Sequence, residues 1–421
     1  MNDPIELTKQ LVAINSVNPF LTITNNNRQI GIGSESIINE FIEDQLKSLG
    51  FDVERQIIEE ERTLQIADRE IHIPARWNIL AEKGKAKESI LFYGHSDTVD
   101  VKNGWKTDPF IISENIVEDR SRLYGLGAND MKSGLAAIIC GAGSTLSKNL
   151  KIKIAILVDE EFWSFGATKL CESNFLKDVK LAIAPEIGEG GNDPDIQWLG
   201  LGRLGRSEFE FEVIGKSCHG ADAFIDETAI NAVHEAIKIE AAIVNYCEST
   251  KKEFINDGMK ALNSAYINSH SGGRAMLSLP DKACFILDRT YLPGEDPNST
   301  LAELKELLIQ LKTDGEIYPR TAASVKERSR PTPSCKPYYF SSETPAIKSV
   351  LKIVKNLSPK YELGIGRSVA DENRIAELGI PTLVLGPHGR GSHTSNEWVD
   401  KESIKKVSKI FQAIAQDFSL T

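Results

Sequence analysis

Histidines and carboxylates follow four short apolar segments of the sequence, at 89–93, 152–158, 180–184 and 382–385, and one more carboxylate follows a glycine-bearing turn. Imidazole and carboxylate groups together are ligands for Zn²⁺, with Co²⁺ and Mn²⁺ as alternatives. Each signal is weak when taken alone, because a surface hydrogen bond, a helix N-cap or a solvated acidic loop also explains it. The residues concerned are, in chain order, His95, Asp97, Asp130, Asp159, Glu160, Glu161, Glu186, His388 and His393.

The apolar segments are predicted to be strands buried on both faces of an α/β sheet, because each is short and mostly apolar. Predicted helices separate them, over residues 132–142, 164–171 and 345–357. In an open α/β sheet, ligands bind beyond the carboxyl ends of the strands, which is where the histidines and carboxylates would meet. Several carboxylates in one crevice repel one another unless cations lie among them. The sequence therefore predicts a metal site at this edge of the sheet.

An amphipathic helix is predicted over residues 34–49, with Gly50 as its stop signal. It adds to the alternation of helices and strands that indicates the α/β class. The residues expected on its buried face are Ile37, Ile38, Phe41, Ile42, Leu46 and Leu49.

A segment in the middle of the chain has a different pattern. Residues 207–213 alternate polar and apolar side chains, which is typical of a half-exposed antiparallel strand. We therefore expect an open α+β sandwich inserted into a larger, mostly parallel α/β domain. The elements predicted to follow are a helix at about 226–246, a strand at 283–289, a helix at 300–311 and a strand at 322–328. The predicted boundaries are 1–204 and 332–421 for the two parts of the larger domain and 205–331 for the inserted one.

The composition of the 421 residues excludes several classes of protein. Forty-nine basic and 60 acidic residues give a formal net charge of −11, and no Lys/Arg-rich block offers a surface for nucleic acid. No apolar run approaches the length of about 18 residues that a membrane span needs, and Met1–Glu6 lacks the pattern of a signal peptide. The six cysteines lie at least 29 residues apart and form no Cys-x-x-Cys pair, which favours free thiols in a reducing cytoplasm.

Six motifs of the chain resemble, in order and spacing, those of the co-catalytic zinc metallopeptidases and amidohydrolases. That family includes acetylornithine deacetylase, succinyl-diaminopimelate desuccinylase, aminoacylase and glutamate carboxypeptidase. The resemblance implies a zinc-exopeptidase-like catalytic domain and a ferredoxin-like inserted domain that forms a homodimer. The motifs are Gly94-His95-Ser96-Asp97-Thr98-Val99, Asp130-Met131-Lys132-Ser133-Gly134, Asp159-Glu160-Glu161, Pro185-Glu186, Gly215-Lys216-Ser217-Cys218-His219-Gly220 and His393-Thr394-Ser395-Asn396-Glu397.

The resemblance implies two zinc ions per chain, with cobalt or manganese as alternatives. His95 and Glu186 would bind one ion and Glu161 and His393 the other, while Asp130 would bridge them. Three carboxylates and a bridging hydroxide carry four negative charges, which balance two Zn²⁺ ions.

Four further residues match family positions with other roles. Glu160 would be the general acid/base that takes a proton from the metal-bound water and returns it to the leaving nitrogen. Asp97 would orient the imidazole of His95. His219 would reach the active site of the partner subunit and stabilise the oxyanion of the tetrahedral intermediate. Arg289 would hold a substrate carboxylate, with a surface ion pair as the alternative.

Two positions depart from the family pattern. Leu126 stands between two glycines where the family commonly has an arginine. Leu277-Ser278-Leu279 precedes Pro280-Asp281, where many members carry an asparagine that helps to hold the substrate. Neither change affects a proposed metal ligand, but both leave the substrate contacts open.

The sequence therefore predicts a two-metal amidohydrolase that deacylates a small, carboxylate-bearing N-acyl amino acid, as a deacetylase or desuccinylase does. The close alternative is a dipeptidase or carboxypeptidase that uses the same site. A third hypothesis is a binding or regulatory protein that has lost turnover. It is disfavoured because Asp97, Glu160 and His219 are all present.

Overall fold

The structure, a computed structural model, describes residues 3–24, 33–66, 69–147, 149–186, 193–273 and 277–419. It divides into two units. The first comprises Met1–Gly202, Tyr339–Gly366 and Ala370–Thr421, and the second comprises Arg203–Tyr338 and Arg367–Val369. The second unit is therefore an insertion in the sequence of the first.

Helices and strands are numbered in chain order. Before the insertion they are α1 (Pro4–Val12), α2 (Pro19–Thr24), α3 (Glu35–Ser48), β1 (Asp52–Glu59), β2 (Arg62–Ile66), β3 (Arg69–Ile73), β4 (Arg76–Lys83), β5 (Ser89–His95), β6 (Ser113–Val117), β7 (Arg120–Tyr124), α4 (Ser133–Ile138), β8 (Lys151–Leu157), α5 (Phe165–Cys171), β9 (Val179–Ala184) and β10 (Gln197–Arg203). Within the insertion they are β11 (Gly205–Ile214), α6 (Ala232–Ser249), β12 (Glu253–Asn256), β13 (Met259–Leu262), β14 (Ala265–Gly272), β15 (Lys282–Tyr291), α7 (Pro297–Thr313) and β16 (Ala322–Glu327). After it they are β17 (Tyr338–Tyr339), α8 (Pro345–Leu357), β18 (Tyr361–Gly366), α9 (Asp371–Glu377), β19 (Thr382–Val384), β20 (Gly389–Arg390), β21 (Trp398–Asp400) and α10 (Lys401–Asp417). Within the described residues, none of these helices has the length and apolar character that crossing a membrane requires.

A mixed sheet forms the centre of the first unit, with the strand order β1-β4-β8-β5-β9-β19-β10-β17 and β18 also paired to β10. Strands β8, β5, β9 and β19 are parallel neighbours, whereas β1, β4 and β10 pair antiparallel with theirs. The parallel strands are buried because helices cover both faces. Leu170 of α5 and Ile375 of α9 pack on one face, and Phe411 of α10 meets Phe92 of β5 on the other, with ring centroids 5.5 Å apart.

The second unit is built on an antiparallel sheet with the order β14-β15-β11-β16. Together with α6 and α7 this is the βαββαβ arrangement of a ferredoxin-like fold. The alternation predicted around residues 207–213 places Phe209, Phe211 and Val213 in the core with residues of both helices. The predicted fold class, an α/β domain with a ferredoxin-like inserted domain, is confirmed.

Two local predictions are wrong. Ile37 is 57% exposed rather than buried, because the apolar stripe of α3 runs through Ile38, Ile42 and Leu46, one helical turn apart. The helix predicted at about 226–246 begins only at Ala232. Ahead of it, the Asp226 side chain accepts hydrogen bonds from the backbone and hydroxyl of Thr228 and so favours a turn.

The contrast between Ile37 and Ile38 provides a test of the fold. Ile38→Ala removes a fully buried side chain, so we expect the free energy of unfolding to fall by about 2–5 kcal/mol. Ile37→Ala changes an exposed neighbour on the same helix and should shift it by less than about 0.5 kcal/mol. Urea unfolding followed by circular dichroism measures both, and equal losses in the two variants would contradict the placement of α3.

Candidate metal centre and active site

Two histidines and three carboxylates meet in the first unit around the side chain of Asp130. Its Oδ1 lies 3.2 Å from His95 Nε2 and its Oδ2 lies 3.3 Å from His393 Nε2. Glu186 Oε1 is 3.1 Å from the same nitrogen of His95, and Glu161 Oε2 is 3.0 Å from the same nitrogen of His393. The structure thus brings the five predicted ligands together as two histidine–glutamate pairs that share one aspartate.

The geometry of this cluster fits a pair of divalent cations. In a tetrahedral zinc site with bonds of about 2.0–2.1 Å, neighbouring donor atoms lie about 3.3–3.4 Å apart. The four nitrogen–oxygen distances, 3.0–3.3 Å, are close to that spacing. Donor atoms of His95, Asp130 and Glu161 all lie within 4.8 Å of one another. The second oxygen of Glu161, Oε1, is buried without a hydrogen-bond partner, which leaves it available to a cation.

The pKa values of the cluster show that its carboxylates stabilise positive charge nearby. Burial acts to lower the pKa of His95, but its contacts with Asp130, Asp97 and Glu186 outweigh burial and raise the pKa well above the usual range. Contacts with Asp130 and Glu161 raise the pKa of His393 to about 11. Burial, with the charge of Asp130, raises the pKa of Glu161 to about 7. The carboxylates thus stabilise protons on both imidazoles, a role that bound cations fill in a metal site.

Strand ends and tight turns position these side chains. His95 is the last residue of β5, Glu161 follows β8, and Glu186 lies two residues beyond β9. Parallel pairing with β5 in the middle brings the three carboxyl ends to one edge of the sheet. Asp130 and His393 come from loops at this edge. Gly127, ahead of Asp130, has a φ of 73° that suits glycine, and the Asp130–Met131 peptide bond is cis.

Asp97 holds the backbone of the two adjacent glutamates. Its Oδ1 accepts the N–H of Glu160 and its Oδ2 the N–H of Glu161, each at 3.2 Å. His95 Nδ1 lies 3.0 Å from the backbone oxygen of Asp97 and 3.5 Å from its Oδ1, so backbone and side chain both face the imidazole. Burial acts to raise the pKa of Asp97, but the contacts with His95 and Asn18 and the charge of Arg76 together outweigh it and lower the pKa.

Glu160 lies beside the cluster and is half-buried. Burial raises its pKa well above the ordinary range, and the charges of Glu161 and Glu186 act in the same direction, while His95 opposes them. A carboxyl group with a raised pKa can accept a proton and return it near neutral pH, as a general acid/base must.

His219 and Arg289 belong to the second unit, and their roles stay predictions. His219 is exposed in the loop after β11, where its Nδ1 accepts the N–H of Ala221 at 3.2 Å. Arg289, on β15, is buried, with Nη2 4.0 Å from Glu295 Oε1 and the guanidinium 5.6 Å from the ring centre of Tyr291. An ion pair within its own unit therefore stays an alternative to the substrate-binding role, with Glu295 as the partner.

Glu397, to which the sequence motifs assigned no role, is hydrogen-bonded to the loop that carries Asp130. It is buried, and its Oε1 accepts the N–H groups of Asn129 and Asp130, both at 2.8 Å, while its Oε2 accepts that of Gly127 at 3.1 Å. Burial and the charge of Asp130 raise its pKa to about 8. Glu397 thus ties the loop of His393 to the loop of Asp130. Its place at the end of the last motif was the only signal.

Comparisons with known proteins find a family model that matches the chain and several similar proteins. The sequence model of Peptidase family M20/M25/M40 matches residues 91–417. The acetylornithine deacetylase of Buchnera aphidicola subsp. Schizaphis graminum is 28% identical over 352 residues, 82% of this chain and 84% of that protein. The aminopeptidase PepT from Bacillus cereus has a TM-score of 0.71 and 20% identity, covering 98% of this chain and 97% of that chain. The YXEP protein of Bacillus subtilis, a dinuclear metal-binding peptidase, has a TM-score of 0.64 and 15% identity, covering 98% and 96% of the two chains.

The contacts of Glu397 predict that it supports metal binding. Glu397→Gln replaces one acceptor oxygen with an NH₂ group, which then faces backbone N–H donors instead of accepting from them. We expect zinc affinity to fall by about 10–100-fold, as is typical when a partner of a ligand is lost. Competition with a chromophoric chelator measures the affinity. The control is Glu402→Gln, an exposed glutamate on α10. An affinity equal to that of the control would contradict the role given to Glu397.

Proposed function

The chain belongs to peptidase family M20/M25/M40, and from this premise we propose that it hydrolyses the amide bond of a small N-acyl amino acid with two zinc ions bound. The observation that carries the proposal is the shared position of Asp130 between two histidine–glutamate pairs. His95 and Glu186 would hold one ion, His393 and Glu161 the other, and Asp130 both. The donor set also suits Co²⁺ and Mn²⁺.

When bound, the two ions supply Lewis acidity and a water molecule of lowered pKa. The residues of the chain supply proton transfer and position. Glu160 takes the proton of the attacking water and delivers it to the leaving nitrogen, because an amine leaves poorly unless it is protonated. Asp97 fixes the backbone of Glu160 and Glu161, so the base and a ligand keep a constant separation. Burial of Glu160 supports this role because it holds the proton affinity of the carboxyl group high.

Two observations support the proposed substrate class: the similarity to an acetylornithine deacetylase and the positive charge of Arg289. An acetylornithine deacetylase covers most of the chain at 28% identity, which supports an N-acyl amino acid. Arg289 would hold the carboxylate of such a substrate. The second candidate is a dipeptidase or carboxypeptidase reaction, which the match to the model of a peptidase family supports.

A substrate panel tests the substrate class. N-acetyl and N-succinyl amino acids are compared with dipeptides and tripeptides on the zinc-loaded protein, and release of the free amino group is measured. We expect turnover of the acyl amino acids. Turnover of peptides alone would establish the second candidate, and no turnover with both metals bound would favour a binding or regulatory protein.

We further propose a homodimer formed through the second unit, with His219 acting across it on the oxyanion of the partner's reaction. The exposure of His219 supports this role, since a histidine that serves another subunit must be accessible from outside its own. The cytoplasm is the proposed location. Within the described residues the six cysteines form no disulfide, which suits a reducing compartment.

Substitutions of Glu160 and Glu161 test the proton-transfer role and the metal-ligand role separately. Glu160→Gln should retain zinc at the wild-type level but lower kcat by about 10²–10⁴-fold, the usual contribution of general acid–base catalysis. Glu161→Gln should instead lose zinc, since it removes a ligand charge. Elemental analysis and initial rates measure the two effects. Near-normal turnover in Glu160→Gln would exclude it as the general acid/base.

Mixed dimers test the role of His219. His219→Ala and Glu160→Gln proteins are each expected to be nearly inactive. If His219 serves the partner's site, a heterodimer of the two contains one intact site and regains up to about half of the activity per dimer. Differently tagged chains are co-purified to confirm the heterodimer before rates are measured. A confirmed heterodimer without activity would argue that His219 acts within its own chain.

A further inference from the structure

Arg76 carries a buried positive charge to which neither the sequence motifs nor the proposed mechanism assign a role. It is the first residue of β4 and is 2% exposed. Its guanidinium donates to both oxygens of Glu35, through Nε to Oε2 and through Nη2 to Oε1 at 3.1 Å. Nη2 also donates to Asp159 Oδ1 at 2.7 Å. A charge removed from water is costly unless it is paired in this way, so the position of each partner depends on the others.

Asp159 links Arg76 to the active site. It is bound by Arg76 and directly precedes Glu160 and Glu161 in the sequence. Asp159 has a φ of 70°, a left-handed conformation that a non-glycine residue keeps only when its surroundings hold it there. Two contacts from Glu35 and Arg76 do so, because Glu35 Oε1 accepts the N–H of Asp159 at 2.8 Å while Arg76 holds its carboxylate.

The carboxylate of Asp159 also organises the turn that follows. Its Oδ2 accepts the N–H groups of Trp163 and Phe165, both at 3.3 Å. Its Oδ1 accepts Asn18 Nδ2 at 3.0 Å, and the same nitrogen donates to Asp97 Oδ2 at 2.9 Å. Asp97 therefore fixes the segment through the N–H groups of Glu160 and Glu161, and Asp159 fixes the turn that follows it.

We infer that Arg76 is a positioning residue for Glu160 and Glu161, which it fixes through Asp159 and the shared partner Glu35. The inference rests on the proposed function for the roles of the two glutamates. Arg76 itself contacts neither of the two glutamates nor substrate in this account. Its effect is to keep the turn in one conformation, so that the ligand oxygen of Glu161 and the carboxyl group of Glu160 stay in place.

Positioning and simple electrostatics predict opposite effects of Arg76 on metal binding. Removal of a nearby positive charge makes the site more negative, so electrostatics alone would tighten the binding of a cation. Loss of position would displace Glu161 and weaken it, by about 10–100-fold if Arg76 behaves like other partners of metal ligands. The sign of the change therefore distinguishes the two.

The experiment compares Arg76→Met with Arg76→Lys and with a matched control. The control is Lys153→Met, which removes another buried cation of the same sheet. Lys153 is paired with Asp178 and lies near the start of β8, away from the carboxyl end of that strand. Zinc affinity is measured by chelator competition on the folded fraction, and kcat and KM on the preferred acyl amino acid. We expect Arg76→Met to bind zinc about 10–100-fold more weakly and to lower kcat by at least about 10-fold, with KM within about 3-fold.

Arg76→Lys keeps the charge but cannot reach both carboxylates with a planar fork, so it should fall between Arg76→Met and the wild type. Lys153→Met should lose stability without a change in zinc affinity. If Arg76→Met does not fold, Arg76→Gln removes the same positive charge while its side chain keeps an amide donor, and it should show the same weakening.

Unchanged or tighter zinc binding in Arg76→Met, or in Arg76→Gln in its place, would overturn the inference. The zinc measurement does not depend on turnover. If the wild-type protein hydrolysed none of the substrates, the proposed function would fail while the role of Arg76 in holding the site would still be decided.

Discussion

Three carboxylates and two imidazoles share a small volume around Asp130, and their charges cannot be balanced there without added cations or protons. Burial makes this constraint severe, because the interior solvates the charges of Glu161 and Glu186 poorly. The raised pKa of His95 reflects the same need for positive charge. The rest of the site can be understood as the means by which the chain keeps mutually repelling groups close together.

The backbone meets this constraint by donating hydrogen bonds to carboxyl groups that are not among the five proposed ligands. Asp97 receives the N–H groups of Glu160 and Glu161, and Glu397 receives those of the loop that carries Asp130. Each of these two carboxyl groups fixes a segment whose side chains face the cluster. Parallel pairing of β5 with β8 and β9 provides the frame, since it places three strand ends at one edge.

Much of this arrangement was predictable because it depends on local pattern. His95, Glu161 and Glu186 follow strands whose continuous apolar character indicates a buried parallel sheet, so their meeting point follows from strand direction. Asp130 and His393 were identified by motif rather than by position. The role of Glu397 was not predictable, because its partners are 267 to 270 residues away in sequence. Arg76 gave no signal either, since it begins an antiparallel strand that no apolar pattern had indicated. Ile37 shows that helical periodicity does not always predict burial. It lies beside the apolar stripe of α3 but is exposed.

The number of metal ions that the chain binds decides whether Asp130 lies between two cations. Protein stripped with a chelator is titrated with zinc in a calorimeter, and the stoichiometry is obtained from the equivalence point. Two ions that share Asp130 predict about two zinc ions bound per chain at neutral pH. A stoichiometry of one, or no saturable binding, would contradict the account.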